Sequence, residues 1–217
     1  MPVVVLISGR GNNLQALIDT VAKNTLPINI RAVISNRPEA YGLERAKNAN
    51  INTIVFEHSA YTSRERFDAA LRDEIDRYQP GLVILAGFMR LLTPEFINHY
   101  MGRILNIHPS LLPAYRGLKT HQRALTDGAK EHGASVHFVI PELDSGPVVL
   151  QGSVPVLGND TAETLGHRVL TEECRIYPIA IKWFAEGQLT LRDNHAYLDG
   201  TRLTTPCQHK LHEVTEA

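Results

Sequence analysis

Cysteine is scarce in this sequence, and neither sign of charge is in excess. The 217 residues include two cysteines, Cys174 and Cys207, which lie far apart. This excludes a zinc site built from cysteines and is typical of a reducing compartment, so a cytoplasmic protein is expected. Lysine and arginine total 22 and aspartate and glutamate 23, which gives a net charge of −1. Proteins that hold polyanions usually carry a basic excess, so no nucleic-acid partner is expected.

Long apolar runs are also missing. The longest, residues 3–7 and 82–88, are too short to cross a bilayer. No basic segment precedes an apolar stretch at the N-terminus, so neither a membrane partner nor a signal peptide is expected. Hydrophobic residues make up 43% of the chain and charged residues 21%, which excludes collagen, coiled coil and general disorder.

Strand-like and helix-like segments alternate through the first half of the chain. Residues 3–7 are apolar and largely β-branched, as in a strand that is buried on both faces. The further strands predicted are residues 28–34, 52–56 and 82–85. The helices predicted are one with an apolar face of Leu14, Leu17, Ile18 and Val21, one at 42–49, and one at 62–78 with Thr62 and Glu65 as a capping box. This alternation predicts an α/β fold, with a Rossmann-like, mostly parallel twisted sheet flanked by helices.

The second half predicts antiparallel strands. Residues 103–108 read as one more strand, and a loop rich in proline and glycine follows it. Residues 134–140 and 148–156 read as two strands separated by a short turn. Because so little chain joins them, we expect them to pair as antiparallel neighbours.

A long helix is predicted near the C-terminus. Asp160 and Glu163 mark its start, and it reaches residue 185 with an interruption near Pro178, because proline has no backbone N–H to donate. Residues 201–217 are polar and predict a frayed tail. The sequence contains no internal repeat and no linker, so residues 1–200 are expected to form a single domain.

A glycine-containing turn at residues 8–13 follows the first strand and opens the first helix. Backbone N–H groups and the helix dipole favour an anion at such a position. A dinucleotide fingerprint would need a third glycine where Leu14 stands, and an acid after the second strand, where none occurs. The turn therefore indicates a single phosphate monoester, or equally a plain strand-to-helix turn capped by Asn12 or Asn13.

Asn106 and His108 are two residues apart at the end of a predicted strand, so both side chains point to one face. Pro109 keeps His108 extended, and this edge of an α/β sheet is the usual place for a catalytic site. An imidazole can move a proton near neutral pH, and an amide can donate to an oxyanion. For one histidine among ten, a packed structural role is the simpler interpretation.

Asp144 stands in a turn forced by the glycine and proline that follow it. It could simply cap that turn. A carboxylate beside His108 would favour the imidazolium form of that side chain. The residues between them must fold back for the two to meet.

Two further charged residues are out of place in their predicted helices. Glu173 lies in an apolar stripe with Leu165, Val169 and Ile176, so it must pair with a cation or face a cleft that takes a ligand. Its neighbour Glu172 falls off the stripe and is expected to be solvated.

Arg64 lies in the first turn of its helix, where the helix dipole disfavours a cation. It could pair with Glu65 or Asp68, or it could reach an anionic ligand.

Together these motifs resemble the phosphoribosylglycinamide formyltransferases of the folate-dependent formyltransferase superfamily. The segments that carry the resemblance are residues 8–13, 85–90, 106–113 and 143–147. It covers residues 1–200, with a phosphate-binding half at 1–100, a folate-binding and catalytic half at 101–200, and residues 201–217 outside it. Where the family often has other residues, this chain has Arg10, Asn12, Arg116 and Lys119.

The resemblance implies formyl transfer from 10-formyltetrahydrofolate, a co-substrate, to the amine of N1-(5-phosphoribosyl)glycinamide in purine biosynthesis, with no metal. The catalytic residues implied are Asn106, His108 and Asp144. The residues implied to bind the phosphoribosylglycinamide are Gly11, Asn12, Asn13, Gly87, Pro109, Leu170, Thr171, Glu172 and Glu173. The residues implied to bind folate are Arg64, Met89, Arg90, Leu91, Leu92, Asn106, Ile140, Pro141, Glu142, Leu143 and Asp144. His121 and His137 are implied to order the site.

Two other functions stay open at this point. The chain could be a different 10-formyltetrahydrofolate-dependent formyltransferase or hydrolase that acts on another acceptor. It could also be a non-catalytic nucleotide-binding module that uses only the glycine turn, in which case His108 and Asp144 would have no reason to meet. Partners are expected to be small molecules, with the chain a monomer or a homodimer.

Overall fold

The computed structural model describes residues 1–209, and an eight-stranded sheet forms its centre. The strands are β1 (Pro2–Ile7), β2 (Asn29–Ser35), β3 (Thr53–Val55), β4 (Leu82–Leu85), β5 (Ile104–His108), β6 (Glu131–Phe138), β7 (Val148–Pro155) and β11 (Cys207–His209). Their order is β3-β2-β1-β4-β5-β6-β7-β11. Pairing is parallel from β3 to β5 and between β7 and β11, and antiparallel on both sides of β6.

Helices cover both faces of this sheet, so the predicted α/β class is confirmed. They are α1 (Asn12–Ala22), α2 (Tyr41–Asn48), α3 (Arg64–Asp76), α4 (Pro94–His99), α5 (Thr120–Thr126) and α6 (Ala162–Ala185). One apolar cluster packs α1, α2 and α6 on one face, and a second packs α3 and α4 on the other. The interior of β1 is fully buried, which explains why its sequence does not alternate.

Two predicted helix starts were wrong in detail. Ser63, rather than Thr62, caps α3, because its side chain accepts from the backbone N–H of Arg66. The capping box of α6 joins Thr161 and Thr164, rather than Asp160 and Glu163.

Pro178 does not interrupt α6, contrary to expectation. The helix runs unbroken from Ala162 to Ala185 with Pro178 inside it. Ile176, Tyr177, Ala180 and Ile181, on either side of the proline, are fully buried. Apolar burial on this scale offsets the loss of one helical hydrogen bond.

The predicted frayed tail is also partly structured. A small antiparallel sheet of β8 (Leu189–Arg192), β9 (His195–Leu198) and β10 (Thr201–Arg202) follows α6. The chain then adds β11 to the edge of the main sheet. Neither α4, α5 nor the small sheet was predicted; residues 210–217 lie outside the described part of the chain. Within residues 1–209, no helix is long and apolar enough to span a membrane.

Candidate active site

Three parallel strands end side by side at one edge of the sheet. The register aligns Leu6 of β1 with Leu85 of β4, and Leu85 with Asn106 of β5. The loops that leave these strands therefore start from the same edge. They carry the glycine turn, the segment after Gly87 and the segment after His108, so residues distant in sequence lie at one edge of the sheet.

His108 lies at the end of β5 and is nearly buried. Its Nε2 is 3.0 Å from the backbone carbonyl oxygen of Tyr115, and its Nδ1 is 3.5 Å from a carboxylate oxygen of Asp144. Both ring nitrogens therefore face oxygen acceptors. The segment between His108 and Asp144 does fold back to bring them together.

Asn106 is placed by a buried histidine. Its register partner across β5 and β6 is His137, and the amide Nδ2 of Asn106 is 3.1 Å from Nε2 of His137. Nδ1 of His137 lies 2.9 Å from the carbonyl of Phe138 and so carries the ring proton, which leaves Nε2 to accept from the amide. Burial lowers the pKa of His137 to about 4, which keeps the ring neutral.

Asp144 lies in the turn between β6 and β7, with a φ of 46°. Besides facing His108, its Oδ2 accepts from the backbone N–H of Gly117 at 2.8 Å. Its Oδ1 is 3.9 Å from Nε2 of His137. One carboxylate thus touches β5, β6 and the loop that follows β5.

A cavity of about 290 Å³ opens beside these groups. Apolar side chains from the segments after β4 and β6 form most of its wall. Asn106, His137 and Asp144 lie at its polar end, and Arg64 adds a positive charge. The lining residues are Arg64, Leu85, Phe88, Arg90, Leu91, Leu92, Pro94, Ile97, Asn106, His137, Val139, Ile140, Pro141, Glu142, Leu143 and Asp144.

The glycine turn has the geometry of an anion site. Gly11 adopts a left-handed conformation (φ 72°) at the N-cap of α1, and among residues 1–209 no side chain caps that helix. Its first N–H groups are therefore free of side-chain partners. Ser8 ties the turn to the next loop, because its hydroxyl donates to Asn36 and accepts from the backbone N–H of Met89 at 2.8 Å.

Glu173 reaches this turn from α6. Its Oε2 accepts from the amide of Asn13 at 2.6 Å, and 8% of the residue is exposed. Burial raises the pKa of Glu173 to about 7, and the hydrogen bond from Asn13 opposes that shift.

Glu172 contradicts the expectation that it is solvated, because only 1% of it is exposed. It faces away from the glycine turn, towards β7 and β11. Its Oε1 contacts Nδ1 of His209 at 2.5 Å, and its Oε2 lies 3.5 Å from Arg175. The C-terminal strand that was not predicted covers this carboxylate.

Comparison with known proteins was decisive for the family. Residues 1–181 match the family described as Formyl transferase. This chain belongs to the formyl transferase family. It is 55% identical to the phosphoribosylglycinamide formyltransferase of Escherichia coli (strain K12) over 203 residues, which cover 94% of this chain and 96% of that protein. The Haemophilus influenzae enzyme of the same name is 48% identical over 93% of this chain and 95% of its own.

Solved structures of the family agree with the fold. A phosphoribosylglycinamide formyltransferase from Coxiella burnetii superposes with a TM-score of 0.93 at 50% identity, covering 97% of this chain and 99% of that one. A formyltetrahydrofolate deformylase from Pseudomonas syringae pv. tomato gives 0.85 at 26% identity, covering 91% of this chain but 65% of that one. The predicted resemblance to phosphoribosylglycinamide formyltransferases is confirmed.

Some residues implied by the formyl transferase resemblance lie apart from the others. Met89 does not line the cavity and is 62% exposed, although its backbone N–H holds Ser8. Leu170 is half-buried on α6, and the exposed Thr171 donates to the carbonyl of its own helix at His167.

Sequence reasoning missed the backbone partners of His108 and Asp144 in this formyl transferase. The carbonyl of Tyr115 and the N–H of Gly117 hold those two side chains. A backbone contact leaves no signature in residue type, so only the positive φ of Tyr115 and the Gly117 turn hint at an unusual loop.

Proposed function

We propose that this chain transfers the formyl group of 10-formyltetrahydrofolate to the amine of N1-(5-phosphoribosyl)glycinamide, a step of purine biosynthesis. The observation that carries the proposal is the contact between His108 and Asp144, because Asp144 lies with Asn106 at the polar end of one cavity. The names of the relatives that match nearly their whole length support it. A cytoplasmic location is part of the same proposal.

The cavity suits the folate co-substrate. A flat pterin needs an apolar slot with a few polar groups at one end, and a folate carries carboxylates at the other. The apolar wall formed by Leu92, Val139 and Ile140 supplies the slot, and Arg64 supplies a cation for the anionic end. We assign the remaining implied folate contacts to the same walls, apart from Met89, which does not line the cavity.

The phosphate of the acceptor belongs at the glycine turn. The N–H groups at the start of α1, beginning with Asn12 and Asn13, offer donors and the positive end of the helix dipole. Glu173, held by Asn13, then faces the acceptor beyond the phosphate. We assign Gly87 and Pro109, which follow β4 and β5, to the same acceptor site.

The reaction needs one bond made, one bond broken and one proton moved. The amine nitrogen bonds to the formyl carbon, the bond from that carbon to N10 of the folate breaks, and a proton lost by the amine is balanced by one gained at N10. Asn106 gives one amide hydrogen to His137 and has a second for the oxyanion that forms on the formyl oxygen. His108, aligned by Asp144, is the general acid for N10.

The loop after β5 must move before His108 can transfer its proton to N10. In the present arrangement the Nε2 proton of His108 is directed to the carbonyl of Tyr115. Substrate binding must draw that carbonyl away before the same proton can reach N10. No metal is assigned a role in this mechanism. That the reaction needs no metal stays an expectation from the resemblance.

A coupled assay tests the proposed function. Loss of the formyl group from 10-formyl folate is followed by absorbance, with and without phosphoribosylglycinamide. Acceptor-dependent deformylation, with formylated product found by mass spectrometry, is expected. Equal rates without acceptor would instead identify a hydrolase, and dependence on a sugar nucleotide would identify a different acceptor.

The geometry argues against the alternative that the chain is a non-catalytic nucleotide-binding module. A module that uses only the glycine turn gives no reason for an amide, an imidazole and a carboxylate to converge. Nδ1 of His108 lies 3.5 Å from a carboxylate oxygen of Asp144, close enough for Asp144 to align the ring once substrate tightens the contact.

A further inference from the structure

Arg45 of α2 reaches across to the glycine turn and makes three hydrogen bonds, two to the turn and one to the helix that follows it. Its Nε donates to the carbonyl of Arg10 at 2.9 Å. Its Nη2 donates to the side-chain oxygen of Asn12 at 3.1 Å, and its Nη1 donates to that of Gln15 at 3.1 Å. A planar guanidinium that makes three such bonds fixes both the position and the orientation of the segment it holds.

The backbones of α2 and the turn are also in direct contact. The N–H of Gly42 donates to the carbonyl of Gly9 at 3.0 Å. A Cβ atom at Gly11 would lie 2.7 Å from Cα of Gly42, so no larger residue fits there. Arg45 therefore acts from a helix whose distance from the turn is already set by close backbone packing.

The contact to Asn12 has a specific consequence for anion binding. Asparagine side chains in the first turn of a helix compete for its free backbone N–H groups. Here no side chain caps α1, and the amide oxygen of Asn12 is turned outward to Arg45. The N–H groups that would receive a phosphate are thereby left open.

The charge of Arg45 is not neutralised by an acid. No ion pair within residues 1–209 includes it, and Glu44 on the same helix pairs with Lys47 at 2.7 Å instead. The guanidinium also lies 5.1 Å from the centre of the Tyr41 ring. The guanidinium therefore places a full positive charge next to the glycine turn.

We propose that Arg45 is a positioning residue for the phosphate end of the acceptor. It withdraws the Asn12 side chain from the N-terminus of α1, holds the carbonyl of Arg10 and adds an uncompensated positive charge. This inference rests on the proposed function, since it names the part of the same site that recognises a phosphate monoester.

Steady-state kinetics with the full-length enzyme provide the test. Loss of charged hydrogen bonds in Arg45→Ala raises the KM for phosphoribosylglycinamide by about tenfold or more. The kcat and the KM for 10-formyltetrahydrofolate stay within about twofold, because neither involves the phosphate. An unchanged KM, or a fall confined to kcat, overturns the proposal.

Three further variants separate positioning from charge alone. Arg45→Lys keeps the charge but not the three-way contact, so it stays impaired; full recovery of KM would refute the positioning role. It also carries the test if Arg45→Ala does not fold. Adding Asn12→Ala to Arg45→Ala removes the competing side chain and lowers KM again; a further rise contradicts the proposal. Lys47→Ala, on the same helix, is the matched control and behaves as wild type.

A binding measurement keeps this inference distinct from the proposed function. Ribose 5-phosphate, with ribose as its control, is added in a thermal-shift assay. The wild type is stabilised by the phosphorylated sugar alone, and Arg45→Ala loses that shift. If wild type shows the shift but no formyl transfer, the proposed function fails and the role of Arg45 stands; an equal shift in both proteins overturns that role.

Discussion

His108 is the residue on which the proposed proton transfer depends most directly. Replacing it with alanine removes the general acid and lowers kcat by about 10² to 10⁴-fold. Only one side chain at the end of β5 is truncated, so the melting temperature changes little by comparison. Stopped assays and thermal melts on the same preparation check this. Near-normal turnover in folded His108→Ala protein would remove it from the mechanism.

Glu173 gives a prediction about pH. Burial raises its pKa to about 7 in the folded protein, above the ordinary value of 4.5. Between these values the folded state holds a proton that the unfolded state releases, so this group makes stability fall as pH rises through that window. Glu173→Gln stays neutral and removes the effect.

Melting temperatures of both proteins at about pH 5 and about pH 8 check this prediction. The melting temperature of the variant should rise relative to that of the wild type as pH rises. Glu163→Gln, an exposed position on the same helix, is the control and should show no trend. A constant difference for Glu173→Gln would show that the carboxyl is not held neutral.

The turn that carries Asp144 illustrates how one element depends on another. A Cβ at Gly146 would lie 1.8 Å from the carbonyl oxygen of Phe138, at the end of β6. Gly146→Ala must therefore displace the turn, at a cost of about 1–3 kcal/mol or more. Because the displacement moves Asp144 away from His108, kcat should fall as well.

Kinetics and denaturant unfolding of Gly146→Ala measure the two effects together. Gly158→Ala is the matched control, since nothing lies within 4 Å of a Cβ there. It should match wild type in both respects. Wild-type turnover in Gly146→Ala would mean that the position of Asp144 does not matter to the reaction.

Elements differed in how far sequence predicted them. Strand β1 was predictable because its unbroken apolar run leaves no alternative to full burial. The short helices α4 and α5 carry too few periodic residues to stand out from loop sequence. In α6, the apolar stripe predicted the burial of Glu173 correctly, although its partner is the neutral amide of Asn13 rather than a cation. The burial of Glu172 depends on β11, which comes from another part of the chain.

Acid sensitivity belongs to the whole molecule, because several buried histidines contribute to it. Burial lowers the pKa of both His132 and His137 to about 4, and lowers that of His121 as well. Below about pH 6.5 these histidines become protonated in the unfolded chain but stay neutral in the folded protein. The free energy of unfolding therefore falls as pH falls from about 6.5 to about 4. The titration of Glu173 changes stability in the opposite direction, but it is one group against three histidines.

Thermal melts between about pH 4 and about pH 7 measure that slope. His137→Gln removes one histidine that stays neutral in the folded protein. The melting temperature of this variant should therefore depend less steeply on pH than that of the wild type. His58→Gln, at an exposed histidine, should leave the slope unchanged. Equal slopes in all three proteins would contradict the assignment of His137 as a neutral buried ring.

Local sequence was enough to predict the α/β class, the glycine turn, and the placement of Asn106 and His108 on one face of a strand. These follow from local periodicity and from residue type, which act over a few neighbours. Three other features became visible in the folded chain alone: Asp144 contacts His108, Arg45 holds Asn12, and β11 buries Glu172. Each of those contacts joins segments far apart in the chain, and they come together because a shared sheet edge and core bring their backbones into register.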